Sequence, residues 1–224
     1  ALDCPLAVAE GRAPCHARMD ALAVGAYPGD YIQQARFAPV WTAWLSDGDG
    51  GLAKVFQELA TGLIPRAGNP AVPMGSLAQM RLNFASQGAI ANQRALQLVA
   101  YEAGSGLDAG LPGASDPLYP SYQRLQSLFV TASRDRRIAS TLADLYGAWR
   151  DSGGTLLVAF SGPQPWSSSA GNAALLEYQG QPRSAAPKWD ATLNFIDAQA
   201  CWWSGCESGQ PGIASTTDLA VQAE

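Results

Sequence analysis

One acidic residue stands where parallel α/β proteins place their reactive groups. The apolar run 96–101 (LQLVAY) predicts a buried strand, and Glu102 follows it directly. In such folds ligands bind where the carboxyl ends of the strands meet the following loops. A carboxylate there is costly to bury unless it is paired or used in chemistry, so Glu102 is a candidate active-site residue. The alternative is a loop carboxylate that caps the next segment.

The four cysteines form two close pairs, Cys4 with Cys15 and Cys201 with Cys206. Pairing within each pair closes two short loops and is the simplest of the three possible connectivities. The alternatives are free thiols and a zinc site. A zinc site needs more ligands than a cysteine pair and His16, the chain's single histidine, would supply. Neither cysteine pair is a Cys-x-x-Cys motif. We therefore predict two structural disulfides, no metal site and an oxidising compartment, so that the protein is secreted or periplasmic.

Composition narrows the classes of function. Hydrophobic residues make up 47% and charged residues 15% of the 224 residues, which is typical of a folded chain. The net charge of -5 disfavours nucleic acid as a partner, because phosphate binding needs clustered Lys and Arg. No run of about 18 apolar residues exists, so we predict no membrane span. Neither a common Gly-rich phosphate loop nor a Gly-x-Ser-x-Gly motif is present, and we predict no cofactor.

Three short apolar runs predict the strands that must position Glu102: 20–26, 96–101 and 155–160. Segments with helical spacing lie between and after them: 52–62, 74–94, 119–150 with a break at 133–137, and 187–199. Short strands alternating with long helices are typical of an α/β fold with right-handed crossovers and a parallel sheet buried on both faces.

The segment around Glu102 resembles a known family. The sequence YEAG at 101–104 is similar to the Tyr-Glu-Gly-Gly strand end of bacterial proteins related to retaining TIM-barrel glycosidases, with Ala103 in place of a glycine. The run 20–24 leading to Tyr27 resembles the sixth barrel strand, and 156–160 resembles the eighth. The passage 171–177 (GNAALLE) and the later Pro-Lys-Trp at 187–189 resemble the end of such barrels. The resemblance spans about residues 19–198.

This resemblance implies a parallel (β/α) barrel-like sheet, formed by the last strands of a (β/α)8 barrel. It also implies glycoside hydrolysis with retention, with Glu102 as the nucleophile. Such enzymes need a second carboxylate as acid and base. In this superfamily it follows an asparagine, and the chain has no Asn-Glu dipeptide. The acid/base would therefore come from outside this chain, from a complementing polypeptide. The alternative is a non-catalytic secreted protein that binds carbohydrate or serves as a structural or assembly subunit.

Carbohydrate is the partner that the resemblance implies, and three aromatic residues at strand ends are candidates to bind it. Sugar rings stack on exposed faces of Tyr and Trp, so we predict Tyr27, Tyr101 and Trp166 as walls of the binding site.

The cysteine pairs suggest three parts of the chain. Residues 1–18 form an N-terminal segment closed by a disulfide, and 19–199 form the barrel-like α/β domain. Residues 200–224 form a C-terminal disulfide loop and a flexible tail, because no apolar periodicity follows Cys206.

Overall fold

The computed structural model describes residues 2–65, 74–160, 162–168 and 171–202. Its strands are β1 (Ala21–Ala26), β2 (Gln97–Ala103) and β3 (Leu157–Ala159). Its helices are α1 (Pro5–Ala9), α2 (Ala38–Trp44), α3 (Leu52–Ala60), α4 (Ser76–Asn92), α5 (Tyr119–Arg134), α6 (Arg137–Asp151) and α7 (Pro187–Ala198). Short 3-10 turns lie at Cys15–Arg18, Ala35–Phe37, Gly171–Ala173 and Arg183–Ala185.

The three strands form a parallel sheet in the order β1-β2-β3. The predicted mixed α/β class with a parallel sheet is confirmed. Because the strands lie side by side in chain order, both crossovers run in the same direction and place their helices on one face of the sheet. Within the described residues this sheet is small and open, and a closed barrel is not seen.

The helix-covered face of the sheet forms the first hydrophobic core. Leu98 and Ala100 of β2 are buried beneath α4, α6 and α7. Phe84 of α4 and Trp149 of α6 meet edge to face there, with their ring centroids 5.1 Å apart. Aromatic pairs in this geometry add about 0.5–1.5 kcal/mol to the stabilisation from burial alone. This core therefore fixes β2, which carries Glu102.

The opposite face of the sheet differs from the expectation of a sheet buried on both sides. Among the described residues nothing covers it, and Tyr101, Leu156 and Val158 are 57%, 54% and 45% exposed. Ala23 and Gly25 of β1 are exposed beside them. The reason is topological, because both crossovers and α7 lie on the other side of the sheet.

A second core holds the loop that follows β1. Ile32 in this loop is fully buried among side chains of α2, α3 and α5. Trp41 of α2 packs edge to face on Tyr122 of α5 at 5.0 Å, and Trp44 is buried nearby. The loop after β1 is thus anchored away from the sheet, which fixes the direction in which the chain leaves Tyr27.

The N-terminal segment is held in place by a disulfide and an ion pair. The predicted disulfide between Cys4 and Cys15 is present, with a Cα–Cα distance of 5.6 Å. Asp3 accepts two hydrogen bonds from the guanidinium of Arg94, at 2.7 and 2.8 Å. Cys206 lies outside the described residues, so the second predicted disulfide and the proposed division of the chain stay predictions.

Candidate functional site

β2 carries a bulge at the candidate active-site residue. Val24 of β1 pairs with Ala100, whereas the next residue, Gly25, pairs with Glu102. Tyr101 is therefore the extra residue, and the pairing with β3 shifts over the same stretch. A bulge bends its strand and redirects the side chains that follow it.

The bulge decides which face Glu102 occupies. In a regular strand, side chains two residues apart share a face, so Glu102 would follow Leu98 and Ala100 into the helix-covered core. In the structure Ala103 takes the next buried position instead, and Glu102 remains half-exposed after the exposed Tyr101. A carboxylate is thereby kept out of an apolar core, where it would be strongly destabilising.

Tyr27 supplies a direct partner for this carboxylate. It follows β1, and its hydroxyl lies close enough to the Glu102 carboxylate to interact with it and to serve as a hydrogen-bond donor. Burial raises the pKa of Tyr27 above its ordinary value, and the charge of Glu102, this hydrogen bond and the nearby Tyr101 raise it further. Tyr27 is therefore held in its neutral form at physiological pH, in which it is a donor to Glu102 and not a nucleophile.

Two more rings complete the surroundings of Glu102. Phe160, just after β3, meets Tyr27 edge to face with their centroids 6.4 Å apart. Tyr101 lies over Gly25, where an added Cβ would be only 3.3 Å from the Tyr101 hydroxyl oxygen. Tyr27 and Tyr101 are thus brought together with Glu102. Phe160 was not predicted, because a phenylalanine that ends an apolar run has the pattern of a core residue.

The loop that follows Glu102 is fixed by close contacts with the segment after β3. A Cβ on Gly104 would lie 3.1 Å from the carbonyl oxygen of Ala173 and 3.4 Å from the Tyr27 ring, so glycine permits this approach. Ser105 donates its hydroxyl to the carbonyl oxygen of Asn172 at 2.9 Å. The Asn172 side chain in turn donates to the carbonyl of Leu107.

A buried lysine contacts the same segment after β3, at Asn172. The Lys188 ammonium is fully buried, donates to the Asn172 carbonyl oxygen at 2.5 Å, and lies 4.0 Å from the centroid of the Trp166 ring. Burial lowers the pKa of Lys188 to about 7, and the negative charge of Glu177 opposes this shift. Since no part of Lys188 is exposed, it acts on the site through Asn172 and not on a ligand directly.

Trp166 does not occupy the predicted position in the site wall. Its side chain is fully buried with Val130 and Ala174, and its indole N–H donates to the Ala174 carbonyl at 2.9 Å. The ring contacts Lys188, so in this structure it leaves no open face for a sugar. The loop after β3 folds back against α5, which the Pro- and Ser-rich sequence around Trp166 does not indicate.

The arrangement around Glu102 is suited to two kinds of chemistry. A carboxylate fixed by a neutral phenol can attack an electrophilic carbon, or it can accept hydrogen bonds from the hydroxyls of a ligand. Within the described ranges there is no group of three or more His, Cys, Asp or Glu residues that could hold a metal ion. In the same part of the chain no helix is long and apolar enough to cross a membrane.

Fold and site together define a mixed α/β protein with a carboxylate–phenol pair at the carboxyl end of a three-strand parallel sheet. Comparison of the chain with protein-family models, with curated proteins and with solved structures found no match.

Proposed function

We propose that this chain contributes the nucleophile side of a retaining glycosidase active site, with Glu102 as the attacking carboxylate. The observation that supports this most is the position of Glu102. It lies on a bulge in the middle strand, on the face that the described helices leave open, and Tyr27, which follows the neighbouring strand β1, lies beside it as a potential hydrogen-bond donor. Active-site carboxylates of parallel α/β proteins occupy this end of the sheet.

In the proposed reaction each residue has a defined task. A carboxylate oxygen of Glu102 forms a bond to the anomeric carbon while the bond from that carbon to the leaving-group oxygen breaks. Tyr27 holds the carboxylate in place through its hydrogen bond. Tyr101, which is 57% exposed, offers a ring face to the sugar. An acid protonates the departing oxygen, and the same group then assists water in hydrolysing the glycosyl ester.

We assign this acid/base carboxylate to a complementing polypeptide that completes a (β/α)8 barrel. Parallel sheets are ordinarily covered on both faces, whereas one face here exposes Leu156, Val158 and Tyr101. The strand order, with every crossover in one direction, is the order found in such barrels. Further strands would extend the sheet and enclose the exposed face. The second carboxyl group would then lie about 5–5.5 Å from that of Glu102.

Glycosides with an activated leaving group test the nucleophile without requiring the acid. A dinitrophenolate departs without protonation, so a panel of dinitrophenyl 2-deoxy-2-fluoroglycosides needs only the attacking carboxylate. We expect one panel member to form a covalent adduct, which peptide mapping by mass spectrometry would place on Glu102.

The matched variants for this assay are Glu102→Gln and Glu10→Gln. Glu102→Gln nearly preserves shape but removes the attacking oxygen, so it should form no adduct. Glu10 is exposed in the N-terminal segment, and Glu10→Gln should label like the parent. An adduct on another residue, or no adduct with any sugar of the panel, would end the assignment of Glu102 as nucleophile.

A non-catalytic carbohydrate-binding protein is the second candidate. The exposed Tyr101 ring beside a hydrogen-bonded carboxylate favours it, because stacking and hydroxyl recognition need no second carboxylate. In that case Glu102→Gln would weaken sugar binding while no fluoroglycoside would label the parent. The Cys4–Cys15 disulfide is compatible with an extracytoplasmic protein, and a secreted or periplasmic location is part of the proposal in both cases.

A further inference from the structure

A polar groove lies next to the loop that follows β1. It has a volume of about 340 Å³ and is bordered by the loop after β1 and the first turns of α4. The side chains that line it include Tyr31, Arg36, Phe37, Gln79 and Asn83. Its size lies within the range of small-molecule sites, and its walls combine aromatic rings with hydrogen-bonding groups.

Two amide side chains of α4 present a matched donor and acceptor to this groove. Gln79 Nε2 donates to Asn83 Oδ1 at 2.9 Å, one helical turn away. This bond fixes both amide groups and leaves Gln79 Oε1 as acceptor and Asn83 Nδ2 as donor. Within the described residues neither of these two atoms has another hydrogen-bond partner. Two neighbouring hydroxyls of a sugar ring satisfy such a pair, since a hydroxyl both donates and accepts.

The aromatic wall of the groove is held rigid by a buried carboxylate. Glu58 is fully buried and accepts hydrogen bonds from the Tyr31 hydroxyl and from the backbone N–H of Ile64, the latter at 2.8 Å. Tyr31 also bonds to Ser76 Oγ at 2.9 Å. The Tyr31 ring then packs edge to face on Phe37 at 6.2 Å. The wall is thus formed before any ligand binds, which lowers the entropic cost of binding.

A stacked guanidinium adds fixed donors to the groove. Arg36 lies over the Phe37 ring, with its Cζ 4.6 Å from the ring centroid. Stacking orients the planar guanidinium while its N–H groups remain available to hydroxyl oxygens. The groove therefore carries donors on one side, from Arg36, and the donor–acceptor pair of Gln79 and Asn83 on the other.

The groove and Glu102 are connected by one short stretch of chain. Tyr27 lies beside Glu102, and the same loop continues through Gly29 and Asp30, which line the groove. Gly106, four residues after Glu102, fits so closely against this loop that an added Cβ would lie 2.6 Å from the Asp30 nitrogen. We propose that the groove is a carbohydrate subsite, which binds the sugar residues of an oligosaccharide beyond the one at Glu102. This inference rests on the proposed function.

Binding as a function of oligosaccharide length tests the subsite. The protein is the full chain with Glu102→Gln, so that turnover does not interfere. The probes are cello-, xylo-, manno- and chito-oligosaccharides of one to five residues, with affinity measured by isothermal titration calorimetry. We expect affinity in one series to rise with length. When Gln79→Ala and Asn83→Ala are added to this variant, the affinity for the longer oligosaccharides should fall about tenfold. This is the loss expected for two hydrogen bonds. Asn92→Ala at the exposed end of the same helix is the control and should keep the full gain.

The outcomes separate this inference from the proposed function. Affinity that is independent of length, or equal in the double alanine variant and in the control, would overturn the subsite even if Glu102 is labelled by fluoroglycosides. Length-dependent binding that the double variant loses would support the subsite even if no labelling occurs, and only the catalytic role of Glu102 would then fail.

Discussion

Replacing Lys188 by methionine tests whether a cation is buried beneath the loops of the site. Lys188 is fully buried, and its ammonium has the Asn172 carbonyl oxygen and the Trp166 ring as neighbours. Burial lowers its pKa from 10.5 to about 7. Methionine has a similar length and no charge, so the variant removes the titration while largely filling the same space.

The sign of the effect follows from proton binding. Between pH 7 and 10.5 the unfolded chain takes up a proton on Lys188 that the folded chain does not hold. The free energy of unfolding therefore rises with pH across this window, by about 1.4 kcal/mol for each pH unit. Because the folded-state lysine is still half protonated at pH 7, Lys188 should make the protein about 2 kcal/mol more stable at pH 9 than at pH 7. Below about pH 6 both states are protonated and the contribution is constant.

Urea unfolding at pH 7 and pH 9 measures this difference. The other titrating groups are the same in the parent and in its variants. We therefore compare how much the free energy of unfolding of each protein changes between pH 7 and pH 9. Lys188→Met should lose the gain of about 2 kcal/mol on going to pH 9. Lys54→Met, at the chain's other lysine on α3, should retain it. If Lys188→Met and the parent gain equally between the two pH values, Lys188 is not a buried titrating group and the reasoning is refuted.

Two further variants test the remaining contacts. Tyr27→Phe keeps the ring but removes the hydrogen bond to Glu102, which should slow fluoroglycoside labelling by about 10- to 100-fold, measured by intact mass against time. A labelling rate equal to that of the parent would show that Tyr27 does not position Glu102. The double variant Cys4→Ser with Cys15→Ser should lower the free energy of unfolding by about 3 kcal/mol in non-reducing urea melts, because the bridge no longer restricts the unfolded chain. An unchanged unfolding midpoint would show that this bridge does not stabilise the fold.

The elements of the fold could be read from local patterns, because each has a clear period or length. The apolar runs at 20–26 and 155–160 contain β1 and β3, and the break predicted at 133–137 lies where α5 ends and α6 begins. The short helices α1 and α2 were not predicted. α1 buries no residue, so no apolar face indicates it, and α2 has only seven residues.

The bulge in β2 could not be predicted, because the partners of a strand determine it. The sequence around Glu102 fits a strand that ends at Tyr101, with the glutamate in the following loop. In the structure β2 continues to Ala103, and the extra residue becomes visible only from its pairing with Gly25. The burial of Trp166 is a similar case, since its contacts include Val130 and Lys188, which are distant in sequence.

The bulge and the uncovered sheet face have a common consequence for Glu102. On the helix-covered face the carboxylate would lie among Leu98, Ala100 and the rings of the core, where an unpaired charge is strongly destabilising. On the open face it keeps contact with water and with Tyr27. If a complementing polypeptide encloses that face as we propose, water leaves and the Tyr27 hydrogen bond becomes a larger part of what stabilises the negative charge. The raised pKa of Tyr27 suits this role, because the phenol keeps its proton at every pH at which Glu102 would act as the proposed nucleophile.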